Sequence, residues 1–384
     1  MPIIPISEEI ISLRKKLHSI AEVSGNEKQT SQYLINHFKS LPVTEIITEI
    51  GGTAFVVIIE GLNRGKNIAL RTDIDALPIN EENGFDYKSE QEGVLHKCGH
   101  DGHMAILTAV GEYFANNPLR NGNLFLIFQS EEETGTGALK MLNDYKFQQL
   151  KIDFIFGLHN LPGYETSHII CRENTFASAS VGLILKLFGK TSHAAEPENG
   201  NSPALAMAEI IQYLEKIVHS NTNLIDFSLL TTIQAKLGER AFGTTPGYAE
   251  VMATLRAYQN QDLDLLKNDS IKNAKAIATK YKLKLESNFT EEFSATVNSS
   301  DMVSIVKKAA QENNLKYQNL QNPFRWSEDF GYFLQKYEGA MFGLGAGKNH
   351  PQLHNPDYDF PDEIIESGVN MFIAIVNNLQ KIYS

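Results

Sequence analysis

Apolar residues change their period along the chain in a way that separates helices from strands. Across 7–22, Ile10, Leu13, Leu17 and Ile20 recur at steps of three and four, with Ser7 placed to cap the turn that holds Glu8 and Glu9. That spacing predicts an amphipathic helix, and 26–41 predicts a second. Then the period shortens: 54–60 and 67–73 are β-branched runs bounded by Gly61 and by Asn63-Arg-Gly65, which predicts strands. Leu107, Val110 and Phe114 mark a helix that starts near Asp101 and faces the sheet, and 123–129 and 152–159 are two further strands. From about Ser180 the character shifts to a strand at 181–188, then a helix opened by Ser202 and Pro203 and carrying Met207, Ile210, Ile211, Leu214 and Val218. Strands near 227–237 and 248–256, a helix from about Gln261 and a strand around 283–286 complete this block. Strand, helix, strand, strand, helix, strand is the ferredoxin-like order, so 180–290 reads as a small domain inserted between 1–179 and 291–384. The last part resumes the alternation and ends in a helix whose Ile365, Val369, Phe372, Val376 and Leu379 form a core stripe.

Polar groups fall where these strands end. The strand 67–73 runs into Arg71-Thr-Asp73-Ile-Asp75-Ala-Leu-Pro78, 123–129 into Ser130-Glu131-Glu132-Glu133, and 152–159 delivers His159. Carboxyl ends of strands are where α/β sheets place their chemistry. Three adjacent carboxylates raise one another's pKa unless a cation or water relieves them. The densest stretch is Leu95-His-Lys-Cys98-Gly-His100-Asp101-Gly-His103, in which Cys98 and His100 stand two apart while Gly99 lets the chain approach closely. That is metal-ligand spacing, and thiolate with imidazole and carboxylate suits zinc, manganese or another first-row ion. A different reading makes Cys98 a nucleophile paired with His100 or His103. Two more histidines stand in loops, in Ser192-His193-Ala-Ala-Glu-Pro197 and in His350-Pro-Gln-Leu-His354.

Composition narrows the setting. With 384 residues, 42% hydrophobic and 21% charged, the chain can bury two cores and is not disordered. A net charge of −12 argues against nucleic acid or an anionic membrane as partner. Two cysteines exclude a disulfide framework and favour a reducing compartment. Met1-Pro-Ile-Ile-Pro-Ile-Ser-Glu-Glu lacks a basic region followed by an apolar run, and no eighteen apolar residues adjoin, so the expected location is the cytoplasm.

Taken together, Arg71-Thr-Asp-Ile-Asp-Ala-Leu-Pro78, His96-Lys-Cys-Gly-His-Asp-Gly-His103, Phe128-Gln-Ser-Glu-Glu-Glu133, Gly157-Leu-His-Asn160, Ser192-His-Ala-Ala195, Ser327-Glu-Asp-Phe330 and Leu353-His354 resemble, in order and spacing, the amidohydrolase branch of the M20 metallopeptidases. That family includes aminoacylases, hippurate hydrolases, N-acetyldiaminopimelate deacetylases and auxin-conjugate hydrolases. The resemblance implies a zinc-exopeptidase-like α/β fold, a central mixed sheet flanked by helices, with the inserted domain as lid and dimerisation element. It implies two divalent ions, manganese or zinc, held by Cys98, His100, Glu133, His159 and His354, with Glu132 as general base. Counting from Phe128-Gln129 on one side and Gly137-Ala138 on the other fits the family pattern without a gap, which leaves Glu131 as the extra glutamate. By the same resemblance His193 reaches across a homodimer to the substrate carbonyl, Asp73 orients a ligand, and Arg256 binds the substrate carboxylate. The implied reaction is hydrolysis of an N-acyl amino acid, with a dipeptidase or exopeptidase, or a non-catalytic binder, as alternatives. Two positions depart from the family: Gly243 replaces an asparagine and Glu198 a histidine, so the acyl and carboxylate recognition of relatives does not transfer. Near the N-terminus His18-Ser-Ile-Ala21-Glu22 has alanine where the family has proline.

Overall fold

The computed structural model of the chain describes residues 4–383. The first three residues of the stretch considered above for a leader lie outside them. Contacts divide the chain into two units, one formed by residues up to 176, 296–322 and 329 onward, the other by 177–295 and 323–328.

The first unit is built on an eight-stranded mixed sheet in the order Glu45–Ile50, Ala54–Ile59, Leu124–Gln129, Ile68–Asp73, Phe154–Pro162, Glu338–Gly347, Ile169–Cys171, Tyr317–Asn319. The four strands from Leu124–Gln129 to Glu338–Gly347 are mutually parallel. Every residue of Ile68–Asp73 and of Leu124–Gln129 is buried, which is why these segments read as continuous apolar runs rather than alternating ones. Helix His100–Asn116 packs on Glu8–Ser19 and on Ile365–Ile382, which packs in turn on Ser300–Glu312. Parallel register places the carboxyl ends of the four strands, at Asp73, Gln129, His159 to Pro162 and Gly347, along one edge of the sheet.

Three strands of this sheet are not foreshadowed by the apolar pattern, for physical reasons. Glu45-Ile-Ile-Thr-Glu-Ile50 is an edge strand, mostly half-exposed, with no clean alternation. Ile169–Cys171 and Tyr317–Asn319 are three residues each, too short to carry a period.

The second unit has a four-stranded antiparallel sheet in the order Ser228–Leu237, Tyr248–Ala257, Ala179–Phe188, Lys284–Phe293. Alternate residues, among them Leu183, Leu185, Val251 and Leu255, are buried with Ile210 and Leu214 of helix Ala204–Ser220 and Leu266 of helix Asn260–Lys280. Pro203 is the residue that caps the first of these helices rather than its opening residue. Strand Lys284–Phe293 continues well past Glu286 as a polar edge strand that no apolar pattern announces. The strap 323–328 is tied to this sheet: Arg256 Nη1 donates to Arg325 O (3.0 Å) and Ser327 Oγ (3.1 Å), and Tyr258 OH donates to Pro323 O (3.1 Å). Among the described residues no helix is long and apolar enough to cross a membrane.

Candidate metal centre

The carboxyl-end edge of the first unit gathers five metal-compatible side chains from four separate segments: a loop running into helix His100–Asn116, the glutamate turn, strand Phe154–Pro162 and the loop of His354. The ligand atoms of Cys98, His100 and His159 lie within 4.8 Å of one another, as do those of Cys98, Glu133 and His354 and those of His100, Glu132 and Glu133. Cys98 Sγ is 3.4 Å from His159 Nε2, His100 Nε2 is 3.8 Å from Glu133 Oε1, and His354 Nε2 is 3.7 Å from the same oxygen. Both His100 Nε2 and Glu133 Oε1 are buried without a hydrogen-bond partner. Buried polar atoms left unpaired cost roughly 1–3 kcal/mol each, so two that face each other inside a ring of thiol, imidazole and carboxylate fit a cation between them. The donor set fits divalent first-row ions, and its two outer triads share Cys98.

Local backbone conformation explains how three of these segments aim their side chains. Gly99, Glu131 and His354 have φ of 89°, 58° and 65°, in the left-handed region. Gly99 is the natural occupant, because a Cβ there would stand 2.7 Å from Asn160 Oδ1 and 2.8 Å from the Tyr358 hydroxyl. Glu131 and His354 take the conformation at a cost that the surroundings hold in place. His354 N donates to Lys97 O (2.8 Å), and Glu131 N donates to Glu27 Oε1 (3.0 Å). Glu131 itself turns away from the centre, its Oε2 accepting from Lys140 Nζ and from Thr136 Oγ1 (3.0 Å). The turn it makes carries the next two glutamates into the centre.

Electrostatics suit a cation as well. Burial pushes the Glu133 carboxyl up to about 8, despite the nearby His100. Burial, with His103 beside it, holds His159 well below its usual range, and burial with His100 lowers His354, so both imidazoles favour the neutral form that ligates metals.

The remaining expected residues fall as follows. Asp73 is fully buried, its Oδ1 2.8 Å from His103 Nδ1 and its Oδ2 accepting from Arg71 Nη1 (2.8 Å), with His100 Nε2 3.7 Å from that oxygen. The far ring nitrogen of His100, Nδ1, instead meets Asp75, at 2.8 Å from its carbonyl and 3.4 Å from Oδ1. Asp75 Oδ2 also accepts from Ser24 Oγ (2.7 Å) and Glu133 N (3.0 Å), so this one carboxylate touches both a histidine and the glutamate turn. The sequence shows Asp75 beside Asp73 without assigning it a role; its position two residues beyond a strand end is the available signal. His193 is exposed in the second unit, on a two-stranded ribbon opposite Thr244, and Arg256 is engaged with the strap.

Comparison with known proteins places this geometry. Residues 69–378 match the model of peptidase family M20/M25/M40. The chain is 30% identical over 376 residues to the N-acetyldiaminopimelate deacetylase of Lactobacillus acidophilus, covering 94% of this chain and 96% of that one. Against the N-acetyldiaminopimelate deacetylase of Bacillus subtilis (strain 168) it is 30% identical over 364 residues, covering 95% and 96%. Among solved structures it superposes with a TM-score of 0.82 on a Bacillus subtilis dinuclear metal binding peptidase from the M20 family, at 23% identity, covering 97% of this chain and 98% of that one. The chain belongs to peptidase family M20/M25/M40 and is an amide-bond hydrolase of that family.

Proposed function

We propose that the chain is a two-metal amidohydrolase that releases a carboxylate and a free amine from an N-acyl amino acid, with N-acetyldiaminopimelate the first substrate to test because the relatives above are named for it. The observation that carries this reading is the convergence of Cys98, His100, Glu133, His159 and His354 around the unpartnered His100 Nε2 and Glu133 Oε1, with Glu132 beside them.

When bound, two divalent ions, manganese or zinc, supply Lewis acidity that polarises the amide carbonyl and lowers the pKa of coordinated water towards about 7. Glu132 is the general base: its carboxylate takes the proton of the attacking water and passes it to the departing nitrogen. It is only 5% exposed, so the proton stays in the site rather than being lost to bulk water. The main-chain carbonyl of Asp75 holds His100 with its Nε2 turned to the centre, and the Asp73 carboxylate fixes His103 behind it. His193 supplies the donor for the carbonyl oxygen. Ala195 N donates to His193 Nδ1 (3.1 Å), which leaves the proton of the neutral ring on Nε2, and the exposed ring presents it as a donor. We assign that donor to a second copy of the chain, in a homodimer joined through the second unit, which then acts as a lid. Arg256 meets the substrate carboxylate through the guanidinium nitrogens that the strap does not use. Neither Cys98 nor Cys171 forms a disulfide, which suits a reducing compartment such as the cytoplasm.

The test is amine release from N-acetyldiaminopimelate and from a panel of acetyl-, benzoyl- and longer-acyl amino acids, with protein stripped by chelator and then reloaded with manganese or zinc. Turnover that vanishes on stripping and returns on reloading is the expected result. Full turnover by the stripped protein, or none on any acyl amino acid, would refute the reading.

A further inference from the structure

The segment Ser327-Glu-Asp-Phe330 has no part in the chemistry above, yet its aspartate is one of the most heavily bonded carboxylates in the first unit. Asp329 is fully buried. Its Oδ1 accepts from Arg71 Nη2 (3.0 Å) and Gln129 Nε2 (2.8 Å), and its Oδ2 accepts from Gln129 Nε2 (2.7 Å) and Ala138 N (2.9 Å). Gln129 is the last residue of strand Leu124–Gln129, and Ala138 lies in the first turn of helix Gly137–Asn143. One carboxylate therefore spans both ends of the turn 130–136, the turn that carries Glu132 and Glu133. The backbone N–H of Asp329 also points at Glu132 Oε1, at 3.4 Å.

The turn needs such a fastening. It holds the left-handed Glu131, and at its exit Gly137 lies so close to Ser130 that a Cβ there would stand 1.7 Å from Ser130 O. A turn with that conformation and that approach relaxes unless its ends are fixed. Arg71 carries the fastening further, since its Nε donates to Gln129 Oε1 (2.8 Å) and its Nη1 to Asp73, which holds His103.

We propose that Asp329 is a positioning residue: by bridging Gln129 and Ala138 it sets where the Glu132 carboxylate stands, and through it the rate of the proton transfer. This rests on Glu132 being the general base. The substitution Asp329→Asn would keep the shape of the side chain, but in either orientation the new amide NH2 would face Gln129 Nε2, together with Arg71 Nη2 or Ala138 N–H, donor against donor, and the charge that pulls on Arg71 would be gone. A base displaced by about 1 Å loses on the order of tenfold to a hundredfold in rate.

The experiment measures kcat, KM, bound metal and thermal midpoint for the metal-loaded full chain as wild type, Asp329→Asn, Glu132→Gln and the double variant. Expected is a kcat for Asp329→Asn lower by roughly ten- to a hundredfold at nearly unchanged KM and metal content, and a double variant no slower than Glu132→Gln alone. Full activity of Asp329→Asn, or losses that multiply in the double variant, would overturn the proposal, because a residue that acts through Glu132 has nothing to add once Glu132 is replaced. If Glu132→Gln alone keeps full activity, it is the reading of Glu132 that fails, and the proposal with it. Should Asp329→Asn fold poorly, Gln129→Met removes two of the bonds to Asp329 at nearly constant volume and is expected to lower kcat in the same sense; an unchanged kcat there counts against the proposal.

Discussion

Replacing His18 by glutamine is expected to destabilise the protein near pH 6 and to cost much less near pH 10. The His18 side chain is fully buried, edge-on to the stacked rings of Phe85 and Tyr87, with Nδ1 2.8 Å from Asp101 Oδ2 and Nε2 3.4 Å from Glu81 Oε2. Burial opposes its charge, but the bonds to Asp101 and Glu81 outweigh burial and raise it from 6.5 to about 9. The folded protein therefore keeps a proton on His18 that the unfolded chain gives up near its ordinary value. Stabilisation from the charged pair is fully present below about pH 6.5 and is lost as the pH rises through about 9. The shift from 6.5 to about 9 corresponds to about 3 kcal/mol, counted once for the pair. Glutamine retains a neutral donor to Asp101, and Arg14 Nη1, 3.1 Å from the same oxygen, keeps that carboxylate from being left bare, so the measured loss lies at or below this figure. At the acid end the pair persists, because His18 and Arg14 outweigh burial and hold Asp101 far below the usual carboxylate range. Urea unfolding of wild type and His18→Gln at about pH 6, 7.5 and 10 isolates the effect, since other titrations cancel in the difference. A difference that stays flat across that range, or a His18 ring resonance that titrates near its ordinary value, would refute the reasoning. Asp101 directly follows His100, so the same measurement reports on what holds the first turn of helix His100–Asn116.

Three other outcomes follow from the site. Asp75→Asn keeps the main-chain carbonyl on His100 Nδ1 but removes the charge 3.4 Å from that nitrogen, and is expected to weaken metal binding by up to about tenfold, measured by competition with a chromogenic chelator; unchanged affinity would show that the carbonyl alone orients His100. Glu131→Gln should leave kcat within about twofold while Glu132→Gln lowers it by at least about a hundredfold, because only the second carboxylate faces the centre; equal losses in steady-state assays would mean that the register of the glutamates is misassigned. Mixing and re-associating inactive His193→Ala and Glu132→Gln proteins should restore about a quarter of wild-type activity, since half of randomly paired dimers contain one complete site; no recovery would exclude a donor supplied across the dimer.

How much of this was legible in the sequence depends on whether a feature leaves a local trace. The buried parallel strands did, because a continuous apolar run as short as Leu124-Phe-Leu-Ile-Phe128, closed off by polar residues, is the mark of a strand covered on both faces. The ligand types did also, since Cys98 with His100 at a loop-to-helix junction and the paired glutamates at a strand end are costly to bury without a purpose. What left no trace were contacts that close over long stretches of chain. Asp329 and Gln129 are 200 residues apart, and nothing near Ser327-Glu-Asp-Phe330 announces that its carboxylate will fasten the glutamate turn. Asp75 was visible as a residue type but not as the partner of His100, because that depends on the strand-end loop folding back by a bond to the ring 25 residues later.

Glu131 shows why the register could be counted but not explained from sequence. Three consecutive glutamates look equivalent in a string, and mutual repulsion alone gives no reason to prefer one. The backbone breaks the equivalence: with φ at 58°, Glu131 reverses the chain direction and sends its own carboxylate to Lys140 and Thr136, while Glu132 and Glu133 emerge on the other side. Gly99 and His354 also take left-handed conformations, so all three loops that supply the centre, strand Phe154–Pro162 supplying His159, use one residue in a conformation that costs energy for ordinary side chains. A site assembled from such turns holds its geometry only as firmly as the bonds that fasten them. The buried carboxylates behind the ligands, Asp75 and Asp329, are therefore as much a condition of the chemistry as the side chains that face it.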